Sequence, residues 1–234
     1  MKKSRVNPKI VITVGVVLIV LLAAVALVPV LWAAIAGPGV KTGPLDASDA
    51  EPATTDINGT WQVTPGTPPN TSSVGFTFDE ILPNEERSTS GSTQGVSGSV
   101  VVEEGQITAG EIIVDMTNVV TDRDVRDESV RNKLFETSRF PTAAFHITDP
   151  VDVSHVPDDG TAVPVELTGD LTIKGHTHEI THTFDALRDG DSIVISGSPV
   201  IDRNDYGVES PEMIAAKIAD EGTIDLRLSF RKDH

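Results

Sequence analysis

The chain has 234 residues, enough for one domain and an appendage, and it has no cysteine, so disulfide staples, thiolate chemistry and cysteine lipidation are excluded. Its formal charge is −17, and the remainder beyond the N-terminal cations Lys2, Lys3, Arg5 and Lys9 is more acidic still. Such a body repels phosphate backbones, and aromatics at 4% are too few for a base-stacking surface, so nucleic acid is excluded as a partner.

From Ile10 to Ala36 no side chain is charged, a run longer than the about 20 residues a helix needs to cross a bilayer core. The basic residues 1–9 precede it, which predicts a cytoplasmic N-terminus and an exported body. Trp32 stands near the far end of the run, where an indole favours the interface. Ala34-Ile35-Ala36 also fits a signal-peptidase pattern, but the apolar run exceeds the about 7–15 residues of a signal core. An uncleaved transmembrane helix over 10–36 is the expectation, with secretion after Ala36 as the alternative. Residues 37–56 are rich in Gly, Pro, Ala and Asp and read as a flexible linker, which leaves 57–234 as the folded domain.

Within that domain the apolar residues alternate with period two. Val74, Phe76 and Phe78 share a face, as do Ile112, Val114 and Met116. The same spacing joins Val165, Leu167, Leu171 and Ile173, then Ile180, His182 and Phe184, then Ile193 and Ile195, and finally Ile224, Leu226, Leu228 and Phe230. The alternating stretch Val96–Val102 adds a further strand. Glu104-Gly105, Asp159-Gly160, Lys174-Gly175 and Asp189-Gly190 punctuate them as turns. Connections this short imply antiparallel neighbours, hence a barrel or a sandwich. Two stretches change period: Asp124–Phe135 and Ser210–Ala219 each predict a short helix, the second with Ser210 as N-cap and Pro211 at its first position. The fold class read from the residues is all-β with two short helices, preceded by one transmembrane helix.

Five motifs in order then resemble the YceI-like family of lipocalin-like polyisoprenoid-binding domains. They are Trp61-Gln62-Val63 with Ser73-Val74-Gly75-Phe76; Arg123-Asp124-Val125-Arg126-Asp127 through Leu134-Phe135; Arg139-Phe140-Pro141-Thr142-Ala143-Ala144-Phe145; Leu167 through Gly175; and Asp202-Arg203-Asn204-Asp205-Tyr206-Gly207. The chain departs from the family pattern at Gly175-His176-Thr177-His178-Glu179 and in a Pro/Asn/Thr-rich insertion from Thr64 to Thr71. The resemblance implies an extended antiparallel lipocalin-like β-barrel with an apolar channel, and an isoprenoid lipid or quinone tail as partner.

The inward face Val74, Phe76, Phe78, Ile112, Val114, Met116, Leu171, Ile173 and Phe184 either lines such a channel or fills a solid core; alternation alone is compatible with both. Phe140 and Phe145 flank a proline, either at a channel mouth or as loop anchors. Arg203 is matched to a phosphate headgroup by its guanidinium, or is paired with a neighbouring carboxylate. Tyr206 caps the barrel end or simply packs.

His178 and His182 lie on one strand face, joined by His176 if the strand extends that far, and the three are weak candidates for a metal site. His178 and His182 are about 13 Å apart at about 3.3 Å per residue, too far for one ion. No nucleophile motif, zinc-protease motif or phosphate loop is present, so no catalytic residue is assigned and no cofactor is expected. The functional expectation is a non-enzymatic binder of isoprenoid-type lipid at the extracytoplasmic face of a bacterial membrane. The alternatives are an envelope interaction domain with a filled core and, third, a metal-dependent protein. The sequence leaves monomer and homodimer open.

Overall fold

The computed structural model describes residues 40–81, 86–209 and 217–233. These belong to one compact unit, Pro38–His234. The apolar run 10–36 and residues 210–216 of the second expected helix lie outside the described residues. Among the described residues no helix is long and apolar enough to cross a membrane.

Among the described residues twelve strands follow one another: β1 (Gly59–Thr64), β2 (Ser73–Ile81), β3 (Glu86–Thr93), β4 (Val96–Glu103), β5 (Gln106–Asp115), β6 (Thr142–Ile147), β7 (Val151–Asp152), β8 (Val163–Ile173), β9 (His176–Asp189), β10 (Ser192–Gly197), β11 (Val200–Asp202) and β12 (Lys217–Lys232). The pairing order β1-β4-β5-β6-β8-β9-β10-β12 closes on itself, because β12 also pairs with β1 through Trp61↔Lys232 to Thr64↔Ser229. All of these pairings are antiparallel, and the result is a closed eight-stranded barrel. β2 continues the position of β1 along β12, and β3 pairs beside it, so the wall is extended beyond the ring.

The turns follow from local chemistry. Glu104 and Gly105 both have positive φ, 51° and 76°, as do Lys174 and Gly175, 53° and 77°. Positive φ at both central residues matches the right-handed twist of the flanking strands.

The expected first helix forms as α1 (Asp124–Ser129), which runs on as a π turn over Val130–Leu134. Buried Asp127 ties its start, accepting from Thr121 N and Oγ1, both at 2.6 Å. The wider turn, closed by Phe135 N donating to Val130 O, carries the Phe135 ring inward against Phe76, with centroids 5.4 Å apart. The second expected helix does not reach its proposed end. Residues 217–219 are strand, the start of β12, where Ile218 pairs with Glu80 in the ladder of β2.

Residues 40–56 also differ from the expectation of a free linker. They form a strap across the outside of the barrel. Leu45 N donates to Ser196 Oγ at 3.0 Å, Ala53 N to Asp158 O at 2.8 Å and Thr54 N to Gly190 O at 2.7 Å. Arg188 and Lys232 donate to Thr55 O and Asp56 O. Under this path, Leu187 pairs with Val194 on the face opposite the interior residues Ala186 and Ile195, yet they are 0% and 2% exposed. An outward apolar pair of this kind draws a covering segment, and fixed acceptors on the barrel satisfy the strap's amides.

Candidate functional site: an apolar cavity in the barrel

Alternation puts one face of each ring strand inside, where an eight-stranded barrel is wide enough either to be filled by side chains or to hold a small ligand. Here space is left among the described residues, in two adjoining chambers. The larger holds about 110 Å³, counted as room for the centre of a water-sized sphere, and the smaller about 70 Å³ on the same measure. They share Val100, Ile147, Leu167, Ile195 and Phe230, which form a waist between them.

The smaller chamber ends on Trp61, 2% exposed, whose Nε1 donates to Ile57 O at 2.8 Å. The Lys232 ammonium lies 6.0 Å from the indole centroid. The larger chamber is walled by apolar side chains, with Thr93 the single polar one among the described residues; its Oγ1 accepts from Gly95 N at 3.0 Å.

Nine residues singled out from sequence stand on the wall of the larger chamber: Val74, Phe76, Ile112, Val114, Met116, Phe145, Leu171, Ile173 and Phe184. The register explains their convergence, since Phe145 pairs with both Ile112 and Leu171.

Four others are elsewhere. Phe78 is buried but packs at the bulge in β12, where a Cβ on Gly222 would fall 2.2 Å from its ring. Phe140 lies against the β8–β9 turn at Gly175, with the Arg139 guanidinium 5.0 Å from its ring centroid. Arg203 is 5% exposed and is spent within the fold: Nε donates to Ala219 O, Nη1 to Val208 O and Nη2 to Asp220 Oδ1 at 2.6 Å. Of the two readings of Arg203, headgroup contact or carboxylate pair, the structure holds the second, and the carboxylate is Asp220 rather than Asp202 or Asp205.

Tyr206 is 2% exposed and packs edge-on to His178 with centroids 5.1 Å apart. Burial, with the Asp205 charge adding to it, pushes its phenol up to about 12.

The histidines do not converge on one point. His178 Nε2 lies 3.0 Å from Asp205 O, a contact in which the imidazole donates. His182 stands edge-on to Phe184 at 4.9 Å, and burial holds its imidazole below the ordinary range. His176 sits beside Gly207. Among the described residues no three His, Asp or Glu side chains are placed to hold a metal ion.

Several wall residues were not singled out from the sequence as site residues: Val119, Phe135, Ile180, Ile195 and the β12 series Ile224–Phe230. The strand members carried the same alternation. Phe135 had no such signal, because the π turn sets its direction.

The sequence matches the YceI-like domain family over residues 61–230. The chain belongs to the YceI-like family. Two solved structures share its fold. One is a polyisoprenoid-binding domain from Saccharophagus degradans implicated in plant cell wall breakdown, with 18% identity, a TM-score of 0.53, and coverage of 69% of this chain and 98% of that one. The other is Burkholderia cenocepacia BcnA, with 20% identity, a TM-score of 0.53, and coverage of 67% and 95%. A comparison with curated proteins finds no match.

In this YceI-like barrel, then, the walls of both chambers are apolar apart from Thr93 in the larger and Arg188, which donates to Thr55 O, in the smaller. Such a cavity excludes water and favours hydrocarbon.

Proposed function

We propose that this YceI-like protein binds an isoprenoid-type lipid, a polyprenyl chain or a quinone tail, and does so without catalysis. The observation that carries the reading is the apolar cavity inside a closed barrel. Each methylene buried there contributes about 0.8 kcal/mol, so a tail is held with few polar contacts. The family membership supports the same ligand class, as does the likeness in fold to a polyisoprenoid-binding domain.

The charge-free run Ile10–Ala36 behind four cations supports a barrel held at the extracytoplasmic membrane face, where such lipids reside. A carbonate wash of membranes tests the anchor: the chain stays with the pellet if the run spans the bilayer and leaves it if the run is cleaved.

The binding test is native mass spectrometry of the full chain released from detergent, with the adduct then identified by fragmentation. One isoprenoid per chain, retained while bulk phospholipid is lost, establishes the ligand and its class. A bare chain, repeated after incubation with isoprenoid-containing vesicles, ends the reading and leaves an envelope interaction domain.

A further inference from the structure

The cavity is small for the ligand class just proposed. An apolar cavity of about 150 Å³ takes up a single benzene ring, and the larger chamber holds about 110 Å³. A chain of several isoprene units therefore needs the wall to part somewhere.

Much of the wall is held by continuous backbone ladders, but the stretch beside the upper half of β9, which borders the larger chamber, is not. β9 pairs with β8 along the whole length of β8, from Ile173↔His176 to Val163↔Ala186. It pairs with β10 only from Asp189↔Ser192 to Asp185↔Ser196. Above that point residues 176–184 have no strand partner on their second edge among the described residues, because β11 turns away to pair with β12.

Side chains close this seam. Lys174 Nζ donates to Gly207 O at 2.8 Å, and His178 Nε2 to Asp205 O at 3.0 Å. Lower down, the rings of Phe184 and His182 fill the space beside Gly197, where a Cβ would fall 2.4 Å and 3.3 Å from them. Both banks of the seam are cavity wall, with Ile180 and Phe184 on one side and Ile195 and Pro199 on the other.

The helix cap is the competing way in, since Val119 and Phe135 also touch the cavity. It is tied more firmly. Ser92 and Val120 exchange two backbone hydrogen bonds of 2.9 Å, and Arg131 Nη1 donates to Val119 O at 2.8 Å.

We infer that the seam between β9 and residues 197–208 is the lateral portal of the cavity, latched by Lys174 and His178, through which an apolar chain enters sideways and the barrel widens to hold it. This rests on the proposed lipid binding. Among the described residues, parting the seam breaks the two side-chain hydrogen bonds and the His178–Tyr206 ring contact but no strand ladder, whereas parting β9 from β8 or β10 from β12 breaks a run of backbone pairs. The polar end of the ligand then remains at the seam, beside the imidazoles, because among the described residues the wall of the larger chamber is apolar apart from Thr93.

The test uses the full chain in detergent with Trp32→Phe, which leaves Trp61 on the cavity floor as the only indole. The probe is cis-parinaric acid, a single-chain conjugated tetraene that accepts energy from tryptophan, so quenching of Trp61 reports uptake. His178→Cys with Asp205→Cys, bridged by a bismaleimide containing a cleavable disulfide, locks the seam; the chain has no other thiol. Ser92→Cys with Val120→Cys locks the cap.

The portal predicts uptake slowed at least about tenfold by the seam bridge and restored on reduction, with the cap bridge leaving the rate unchanged. His178→Phe, which keeps the ring beside Tyr206 but deletes the bond to Asp205 O, speeds uptake about fivefold. An unchanged rate in the seam-bridged chain, or slowing by the cap bridge alone, overturns the portal and leaves lipid binding intact. No quenching in the unbridged chain overturns the binding reading and the portal with it.

Discussion

Asp225 shows how much a single position carries in this wall. It is 1% exposed and accepts from Thr77 Oγ1 at 2.6 Å, Ser198 Oγ at 2.8 Å and Thr223 Oγ1 at 3.1 Å, which joins β2 and the β10–β11 link to β12. Asp225→Ala removes the shared acceptor of three hydroxyls, of which Thr77 keeps Ser90 Oγ at 2.8 Å, and is expected to cost about 2–4 kcal/mol, read as a fall in the denaturation midpoint with an unchanged urea slope. Tyr206 offers a cleaner readout because it is the only tyrosine. Its phenolate absorbance is expected to rise with a midpoint near 12 rather than 10. The raised value means that the folded chain holds the proton more tightly. The associated stability is complete below pH 10 and is lost as pH climbs through about 12. Tyr206→Phe removes that component of the alkaline transition, so the difference between the two unfolding profiles isolates it. A midpoint at the ordinary value would show the ring to be solvated.

Among the elements, the strap was the least legible. Its composition is that of a linker, and its anchoring rests on acceptors more than a hundred residues away, such as Ser196 and Gly190, which no local pattern reveals. The amides of Leu45, Ala53 and Thr54 are expected to exchange at least about tenfold more slowly than an unstructured chain; free-chain rates would return the segment to a tether. Leu187→Asp places an unpaired charge beneath the strap and is expected to release it, at about 2–4 kcal/mol, visible as loss of that protection. The strands were the most legible elements, since period-two alternation and the turns at Glu104-Gly105 and Lys174-Gly175 are local properties of the chain. β9 combines both kinds of information. Its alternation reads straight through His176 to Phe184, but its loss of a partner above Asp185 follows from where β11 goes.

For the molecule as a whole, ligand binding and stability are linked. A lipid that enters only the folded barrel, at a hundred times its dissociation constant, adds about 2.7 kcal/mol. For a domain of this size that is a rise of about 5–10 °C in the melting temperature. A polyprenyl alcohol is the appropriate probe, with a detergent blank; an unchanged melting temperature at saturating lipid would count against a cavity that holds it. Alternation and turn chemistry determined the antiparallel all-β class and the shared faces that carry nine of the wall residues, because both act between near neighbours, and five ordered motifs carried the family; the tertiary structure decided that those faces enclose a cavity. Only the tertiary structure decided that Arg203 is spent on Asp220, that Phe78 and Phe140 stand off the cavity wall, that Phe135 joins it, and that the histidines line a seam instead of converging. Each of these depends on ring closure, register and the bulge at Gly222, which bring together residues far apart in the chain. Contacts of that range are fixed by how the strands close and stagger, and not by any residue's own neighbours.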